Sequence, residues 1–440
     1  MEKRSLLRYL ADKKEQIRRL KVLSRSLTIQ KTKQFVIPVI GPRRAGKSFY
    51  LYDLILNTFK IEDKDFIYLN FEDPEMIGAD MRVMSDAVSV HEEFYGKIPE
   101  YIFLDEVQNI DHWEKAVRGL YETKNHYLFI SGSSSKLLSK EIATSLRGRT
   151  LTYSILPLSF EEFLAFNDFK KKSLLSTSDE NQIKNHLRNY MEFGGFPDIV
   201  FDNQLADRFF LEYLDLVLFR DIIERYNIKN IFIIKFLIRS MLTSFSKQSS
   251  VNSTFNTLKS QGIKVSKKTL YNYTLYLEDS FFAFFLKKFS WALKNTETSV
   301  PKVFINDTGL ITSLISGFSE NFGRLIENIV FLELKRAQNA NPGLEIYYYD
   351  NGGEVDFLLK EKCKIQQLVQ VCYDIENPDT KRRELKALQK AGEELQCSDL
   401  LVITWDKEGE EQMGNNKVVY VPLWKWLLKQ DTHKKGGIPS

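Results

Sequence analysis

The chain has 440 residues, of which 43% are hydrophobic, and a net charge of +4. This length corresponds to about three domains of roughly 150 residues each, and the apolar content excludes a disordered chain. Three cysteines without a CxxC pair and five scattered histidines exclude a disulfide framework and a zinc site of common spacing, and are typical of a reducing compartment. Since no apolar run is long enough for a signal peptide or a membrane span, we expect a cytoplasmic protein without membrane contact.

The beginning of the chain is basic. Residues 1–34 contain eleven Lys or Arg and three acidic residues, a local charge of +8. Within them, residues 1–25 are predicted to form an amphipathic helix, because Leu6, Leu10 and Ile17 recur at helical spacing among basic residues. This helix either packs on the body of the protein or contacts nucleic acid, and the sequence favours neither.

A phosphate-binding loop is indicated at residues 41–48. The segment GPRRAGKS follows the apolar strand FVIPVI and precedes an amphipathic helix, which is the context that the Gly-x-x-x-x-Gly-Lys-Ser pattern requires. Lys47 can reach the β and γ oxygens of a nucleotide, and the Ser48 hydroxyl can bind Mg²⁺. A glycine-rich turn without a ligand is the structural alternative. The residues predicted to bind ATP here are Gly41, Pro42, Arg43, Arg44, Ala45, Gly46, Lys47 and Ser48.

An acidic pair lies at the end of another predicted buried strand, further along the chain. The segment YIFLDE delivers Asp105 and Glu106 to the carboxyl end of a strand, where ligands bind in open α/β sheets. We predict that Asp105 holds Mg²⁺ together with Ser48 and that Glu106 orients and deprotonates the attacking water. Lys47 and Glu106 are therefore the candidate catalytic residues of an ATPase.

Two further groups are candidates for the same site. The strand in HYLFISGSSS ends in hydroxyls, of which Ser133 or Ser134 is predicted to lie near the γ-phosphate. The segment LRGRT offers Arg147 and Arg149, and an arginine supplied from another subunit can neutralise the charge of the transition state. We predict that Arg149 has this role, while an ordinary surface arginine is the alternative.

These motifs together resemble a known family. The segments NFEDP (70–74), FLDEVQNIDHWE (103–114), LPLSFEEFL (156–164), GGFPDIV (194–200) and FRDIIERY (219–226) are similar to those of predicted prokaryotic ATPases of the AAA superfamily. The resemblance implies an ATP-driven protein that forms a homo-oligomer. It also implies a C-terminal domain of unknown function that is compared with restriction-endonuclease folds. The family usually has Asn or Thr at the first sensor, where this chain offers serines.

A basic helical unit follows the ATPase segments. Around the turn at Gly262, lysines occur without an acidic residue before Glu278, and Ser266 can cap a second helix. The unit resembles a winged helix, in which the start of the second helix reads duplex nucleic acid. The residues predicted to contact DNA, duplex or branched, are Lys267, Lys268, Tyr271 and Asn272. The alternative is a winged helix that only packs domains together.

The C-terminal region resembles nucleases of the PD-(D/E)xK type. Their helix Glu, strand Asp and Glu/Gln-x-Lys pair bind Mg²⁺ beside a phosphodiester, and here Glu327, Asp356 and Gln370 match that pattern. Cys372 stands where those nucleases have lysine. A thiol is mostly neutral at pH 7 and prefers softer metals than Mg²⁺, so we expect a nuclease-shaped domain that has lost cleavage. Simple ion pairing of Glu327 and Asp356 with basic neighbours is the structural alternative.

We therefore expect an α/β protein with a P-loop AAA-type parallel sheet, a helical lid, a winged helix and a restriction-endonuclease-like C-terminal domain. The predicted function is ATP hydrolysis coupled to DNA contact. The rivals are a nucleotide-gated scaffold that binds another protein, and an active ATP-regulated nuclease. The predicted domains are a basic helix (1–25), the ATPase core (26–160), the lid (161–235), the winged helix (236–300) and the nuclease-like domain (301–440).

Overall fold

The structure, a computed structural model, describes residues 2–133, 148–170, 172, 174–315, 321–414 and 416–429. They form two compact units, one within Met1–Leu156 together with Asp279–Phe281 and the other within Pro157–Glu278 together with Phe282–Ser440. In this described part of the chain, no helix is both long and apolar enough to cross a bilayer.

The first unit is built on a parallel sheet. Its helices and strands are, in chain order, α1 (Lys3–Arg19), β1 (Ile37–Ile40), α2 (Lys47–Asp53), β2 (Phe66–Asn70), α3 (Val83–Tyr95), β3 (Tyr101–Asp105), α4 (Trp113–Glu122), β4 (Tyr127–Gly132) and β5 (Tyr153–Ser154). A π-helical segment, Leu54–Thr58, continues α2. The five strands pair in parallel in the order β2-β3-β4-β1-β5, which confirms the predicted parallel α/β core.

The order of the strands brings the two phosphate-site motifs to one edge of this sheet. Every residue of β1 and β3 is buried, as continuous apolar runs predict for strands covered on both faces. Because all five strands run the same way, the loop after β1 and the acidic pair after β3 lie at the same carboxyl edge, with β4 between their strands.

Helix α1 packs against α3 and β2 in the first unit. Its apolar residues Leu6, Leu10 and Ile17 are almost completely buried. Lys14 is buried too, and its Nζ donates to the carbonyl oxygen of Asp63 at 2.6 Å. These contacts favour the interpretation that the basic helix packs on the body of its unit.

The second unit begins with helices and ends with two sheets. Its helices are α5 (Phe160–Phe166), α6 (Thr177–Phe193), α7 (Pro197–Phe201), α8 (Ala206–Leu216), α9 (Ile231–Thr243), α10 (Val251–Ser260), α11 (Lys267–Asp279), α12 (Leu293–Thr298), α13 (Thr308–Leu314), α14 (Phe322–Ala340), α15 (Pro378–Glu394) and α16 (Leu423–Leu427). A π-helical segment, Val217–Glu224, follows α8. Its strands are β6 (Lys247–Gln248), β7 (Ala283–Leu286), β8 (Lys302–Ile305), β9 (Leu344–Asp350), β10 (Glu354–Glu361), β11 (Lys364–Cys372), β12 (Asp399–Thr404), β13 (Gly409–Met413) and β14 (Asn416–Pro422).

The two sheets of the second unit differ in size and direction. The small sheet is antiparallel with the order β6-β8-β7, so β8 is its central strand. The large sheet has six strands in the order β13-β14-β12-β11-β10-β9. It is mixed, because β11 pairs antiparallel with β10 and parallel with β12. A helical region followed by a mixed sheet agrees with the coarse expectation for this half of the chain.

Candidate nucleotide site and nuclease-like pocket

The loop between β1 and α2 depends on two glycines. At Gly41 a Cβ atom would lie 2.0 Å from the carbonyl oxygen of Ile155, so only glycine lets these two backbone segments approach. Gly46 has φ 92°, a left-handed conformation that side chains oppose, and immediately precedes the first residue of α2. The backbone curl that the motif requires is therefore present immediately before α2.

An ion pair joins this loop to the acidic pair. Lys47 Nζ lies 3.2 Å from Glu106 Oε1 and donates to the carbonyl oxygen of Pro42 at 3.2 Å. The two side chains are only 4% and 8% exposed. Burial alone raises the pKa of Glu106, but the Lys47 cation and the Gln108 amide outweigh burial and lower it, so the carboxylate is charged. The candidate phosphate ligand and the candidate base are thus in direct contact.

Asp105 is buried among hydroxyl groups. Its carboxylate accepts hydrogen bonds from Tyr68 on β2 and Ser131 on β4, and Ser48 also donates to it. Burial, followed by the adjacent charge of Glu106, raises the pKa of Asp105. Ser48 and Asp105 therefore offer a hydroxyl and a carboxylate oxygen side by side, and Mg²⁺ prefers such oxygen ligands. The residues present fit the ion that the motif implies.

Ser131 contacts both acidic residues and was not among the residues predicted from the sequence. Its Oγ donates to Asp105 and accepts from the backbone N–H of Glu106 at 3.0 Å. That second bond holds Glu106 in a left-handed conformation with φ 53°, which is uncommon for a residue with a Cβ atom. A serine inside the otherwise apolar strand YLFISG is the sequence signal that could have identified it.

The remaining candidates of the nucleotide site are placed as follows. Ser133 is fully buried just after β4, whereas Ser134 and Arg147 lie outside the described residues. Arg149 is exposed, with its guanidinium 5.8 Å from the centre of the Tyr121 ring. In the loop itself, Arg43 donates to Glu72 at 3.0 Å and Arg44 has φ 59°.

Arg25 stabilises the phosphate loop through hydrogen bonds to backbone carbonyl oxygens. Its guanidinium donates to the carbonyl oxygens of Ala45, at 2.9 Å, and Leu156, at 2.8 Å. These bonds tie the loop to the segment that follows β5. Arg25 belongs to the basic beginning of the chain, and nothing in the local sequence distinguishes it from the surface lysines and arginines around it.

The residues predicted to contact DNA lie on one part of the second unit. Lys267, Lys268 and Tyr271 are exposed at the start of α11, and Asn272 is half-buried. Ser266 Oγ accepts from the backbone N–H of Thr269 at 3.0 Å, the cap expected from the sequence. The start of α11 is thus an exposed basic surface.

Glu327 and Asp356, two of the residues predicted from the nuclease pattern, come together around a lysine that the sequence did not reveal. Lys302 Nζ on β8 lies 2.8 Å from Glu327 on α14, 2.8 Å from Glu354 and 3.0 Å from Asp356, both on β10. Burial raises the pKa of Glu327, although the Lys302 ammonium opposes the shift. Burial lowers the pKa of Lys302, but the carboxylates, Glu327 first, raise it well above its ordinary value.

Gln370 and Cys372 have different surroundings on β11. Gln370 Oε1 accepts from the backbone N–H of Asp356 at 3.3 Å, and its amide donates to Glu384. Cys372 is buried in a hydrophobic cluster that includes Leu388 and Tyr420. Burial, followed by the charges of Glu384 and Asp356, raises the pKa of Cys372 to about 12, so its thiol is neutral at pH 7. In the described residues, no group of three or more His, Cys, Asp or Glu side chains is arranged to hold a metal ion.

Comparison with protein-family models gives three successive matches. Residues 33–164 match an AAA domain. Residues 184–321 match a domain of unknown function, DUF8612, and residues 322–426 match a second, DUF4143. The AAA domain therefore includes both Lys47 and Glu106.

Full-length relatives and a solved structure complete the comparison. An uncharacterized protein of Haemophilus influenzae is 30% identical over 353 residues, 78% of this chain and 84% of the relative. The Orc1 protein of Aeropyrum pernix, solved in complex with DNA, aligns over 71% of this chain and 92% of its own at 12% identity, and its TM-score of 0.28 is too low to support an argument. The uncharacterized protein MJ1544 of Methanocaldococcus jannaschii is 37% identical over 427 residues, 95% of this chain and 94% of the relative. The chain therefore belongs to the same protein family as MJ1544, and its AAA domain is followed by two regions of unknown function.

Proposed function

We propose that this protein binds and hydrolyses ATP and that the state of the nucleotide changes its contact with DNA. The proposal rests on the pairing of Lys47 with Glu106 and of Ser48 with Asp105 beside a glycine-dependent loop. A structural glycine turn would need none of these charged and hydroxyl groups, and burying charges costs free energy even when they are paired. The AAA match to residues 33–164 supports the same interpretation.

Ser48 and Asp105 are the residues that would hold Mg²⁺ at this site. When bound, the ion neutralises charge on the phosphates of the substrate. Tyr68 and Ser131 keep the Asp105 carboxylate in place through their hydrogen bonds. Their role is therefore to position a ligand, and neither needs to contact ATP.

Glu106 can act as a base only when Lys47 is occupied elsewhere. Its carboxylate pairs with the Lys47 ammonium at 3.2 Å. Phosphate oxygens compete for the same ammonium, so binding of ATP releases Glu106 to accept a proton from the attacking water. Burial raises the pKa of Glu106, but before ATP binds the Lys47 cation lowers it and keeps the carboxylate deprotonated. This exchange of partners would link nucleotide binding to activation of the base.

Two residues complete the proposed ATPase site. Ser133 is the polar group proposed for the γ-phosphate side, because it is buried directly after β4. Arg149 is proposed to act on the nucleotide of another subunit in a homo-oligomer. Its exposure fits this role, since an arginine supplied to a neighbour must be accessible.

DNA is the proposed partner of the second unit. Lys267, Lys268 and Tyr271 are exposed where the second helix of a helix-turn-helix meets phosphates and base edges, and Asn272 lies beside them. The lysines provide the electrostatic part of binding, which depends on salt. The C-terminal region is proposed to contribute no strand cleavage.

ATP turnover measured without DNA and with single-stranded, duplex or branched DNA tests the proposal. We expect Mg²⁺-dependent hydrolysis that duplex or branched DNA stimulates, and DNA binding that weakens steeply as salt rises. No uptake of ATP in the presence of Mg²⁺ would contradict the proposal. Hydrolysis that every DNA leaves unchanged, together with no DNA binding at low salt, would favour the nucleotide-gated protein that binds another protein.

Ser131→Ala is expected to lower ATP turnover about tenfold while ATP affinity changes little, because it leaves the Glu106 N–H buried without its acceptor and frees the Asp105 carboxylate. Separate measurement of turnover and of ATP affinity checks this result. Ser89→Ala, an exposed serine on α3, is the matched control. An equal loss of affinity and turnover would show that Ser131 supports the fold of the whole site instead.

Lys268→Ala is expected to weaken DNA binding uniformly across sequences and to reduce the slope of log affinity against log salt by about 1, because one phosphate contact is lost. The measurement is a DNA titration at several salt concentrations. Lys386→Ala, an exposed lysine on α15, is the matched control for the loss of one surface charge. If both variants change the slope equally, the start of α11 is not the DNA surface.

A further inference from the structure

The pocket around Lys302 contains more charge than a simple surface ion pair. The Lys302 side chain is 2% exposed, and its ammonium lies within 3.0 Å of oxygens from Glu327, Glu354 and Asp356. An ammonium buried this deeply is costly unless every one of its protons has an acceptor. Glu327 and Asp356 accept hydrogen bonds from it, and Glu354, whose side chain is 40% exposed, forms a third ion pair.

The position of Lys302 is fixed by the backbone around it. Three residues along β8, the N–H and the carbonyl of Ile305 both pair with the side-chain amide of Asn328, at 2.9 Å each. Asn328 follows Glu327 directly on α14. The position of β8 against α14 is therefore fixed next to the pocket, which keeps the backbone of Lys302 close to Glu327.

This pocket coincides with the place where the nuclease pattern predicts a metal. Glu327 and Asp356 are the two acids expected to hold Mg²⁺, and one oxygen of each binds the Lys302 ammonium instead. The second Asp356 oxygen accepts from the backbone N–H of Val371 at 3.0 Å. The Gln370 amide is engaged on both sides, by the Asp356 backbone and by Glu384. One oxygen of Glu327 and both oxygens of Asp356 therefore bind donors of the protein itself, which opposes their use by a hard divalent cation.

We infer that Lys302 is an internal cation that occupies the metal position of a nuclease-like pocket, so that the C-terminal region holds together without a divalent ion and does not cleave DNA. The ion cluster fastens β8, the central strand of the small sheet, to β10 of the large sheet. Its role is then to join the winged-helix part of the second unit rigidly to the C-terminal sheet. This inference does not depend on ATP hydrolysis.

The competing interpretation is that Lys302 on β8 acts as the catalytic lysine that the nuclease pattern has on β11. It requires carboxylates that remain available for a metal and an ammonium that can approach a phosphodiester. Here the three acids that surround Lys302 are bound to it, and its side chain is 2% exposed. Cys372, which stands at the lysine position of the nuclease pattern, is neutral and supplies no positive charge. The geometry therefore favours an internal ion cluster over an active centre.

Calorimetric unfolding of the full chain with and without 1 mM Mn²⁺, in the absence of nucleotide, tests the metal part of the inference. We expect the melting temperature to change by less than about 1 °C, since a bound ion would raise it by several degrees. The same melting temperatures are measured for Asp105→Asn, so that Mn²⁺ binding at the nucleotide site does not contribute to the shift. A rise in melting temperature that Asp105→Asn retains and Glu327→Gln abolishes would overturn the inference.

A double-mutant cycle tests the internal cation itself. Lys302→Met is expected to lower the melting temperature by about 10 °C, because it leaves buried carboxylates unpaired. Glu327→Gln added to Lys302→Met is expected to recover part of that loss, since one of the three unpaired carboxyl groups is removed. The ATP-dependent shift of the first unit's transition serves as the internal reference and should be unchanged in both variants. Additive effects of the two substitutions would overturn the inference.

Nuclease activity gives an independent readout whose expected result needs only the wild-type protein. Wild-type protein with Mg²⁺ or Mn²⁺ is expected to leave plasmid and branched DNA intact, whether or not ATP is present. Strand cleavage that Asp356→Asn removes would overturn the inference and would identify Lys302 as a displaced catalytic lysine. If the protein did not hydrolyse ATP, the Mn²⁺, double-mutant and nuclease experiments would still be interpretable, because the pocket lies entirely in the second unit.

Discussion

Glu106→Gln is expected to keep ATP bound while lowering its turnover about a hundredfold or more, the usual contribution of a general base. The amide has nearly the shape of the carboxylate and can still contact Lys47, so the phosphate loop should be preserved. It cannot accept the proton of the attacking water. The measurement compares single-turnover hydrolysis with the ATP dissociation constant, so that chemistry and binding are separated.

A matched control for this substitution is Glu92→Gln, an exposed glutamate on α3 in the same unit. It makes the same change of charge away from the nucleotide site and should leave turnover unaffected. The variant Glu106→Gln should also trap the protein with ATP in place, which allows DNA binding to be measured for that state. Turnover that is unchanged in Glu106→Gln would remove Glu106 from the mechanism.

Lys47→Ala is expected to weaken ATP binding about tenfold to a hundredfold, because a charge-assisted hydrogen bond to phosphate is lost. It should also destabilise the nucleotide-free protein by about 3 kcal/mol, since Glu106 is left buried without its partner. Nucleotide titration and chemical unfolding measure the two effects separately. ATP affinity equal to that of the wild type would contradict the phosphate-binding role of the loop.

The double variant Lys47→Ala with Glu106→Gln distinguishes the two roles of Lys47. Removing both charges should restore most of the stability, because the unpaired carboxylate is gone, but it should not restore ATP binding. Lys115→Ala, an exposed lysine on α4, is the control for the loss of a lysine elsewhere in the first unit. Recovery of ATP binding in the double variant would mean that Glu106, and not the missing ammonium, limits affinity.

The parallel core could be predicted from the sequence because its signals are local. Buried strands of a parallel sheet are continuous apolar runs, and the segments FIYLN, YIFLD and YLFISG are β2, β3 and β4 of the structure. The phosphate loop has a fixed spacing that follows from the backbone geometry it must adopt. The contact between Lys47 and Glu106 then follows from the shared carboxyl edge of the strands.

The contacts that hold the two candidate sites could not be predicted in the same way. Ser131 was missed because its role depends on the register between β3 and β4, which places it beside Asp105. Lys302 was missed because its three carboxylate partners lie from 25 to 54 residues later in the chain, and the segment PKVFI resembles any strand that begins with a polar residue. Distant pairings of this kind have no signature in a single sequence.

The central place of β8 in the small sheet bears on how this protein can be divided for study. A fragment that begins at residue 301 would carry β8 away from β6 and β7 and expose both of its hydrogen-bonding edges. A fragment that ends at residue 300 would leave β6 and β7 with no strand between them. Shortened versions intended for crystallisation should therefore keep β6, β7 and β8 together with the six-stranded sheet in one polypeptide, and divide the protein elsewhere.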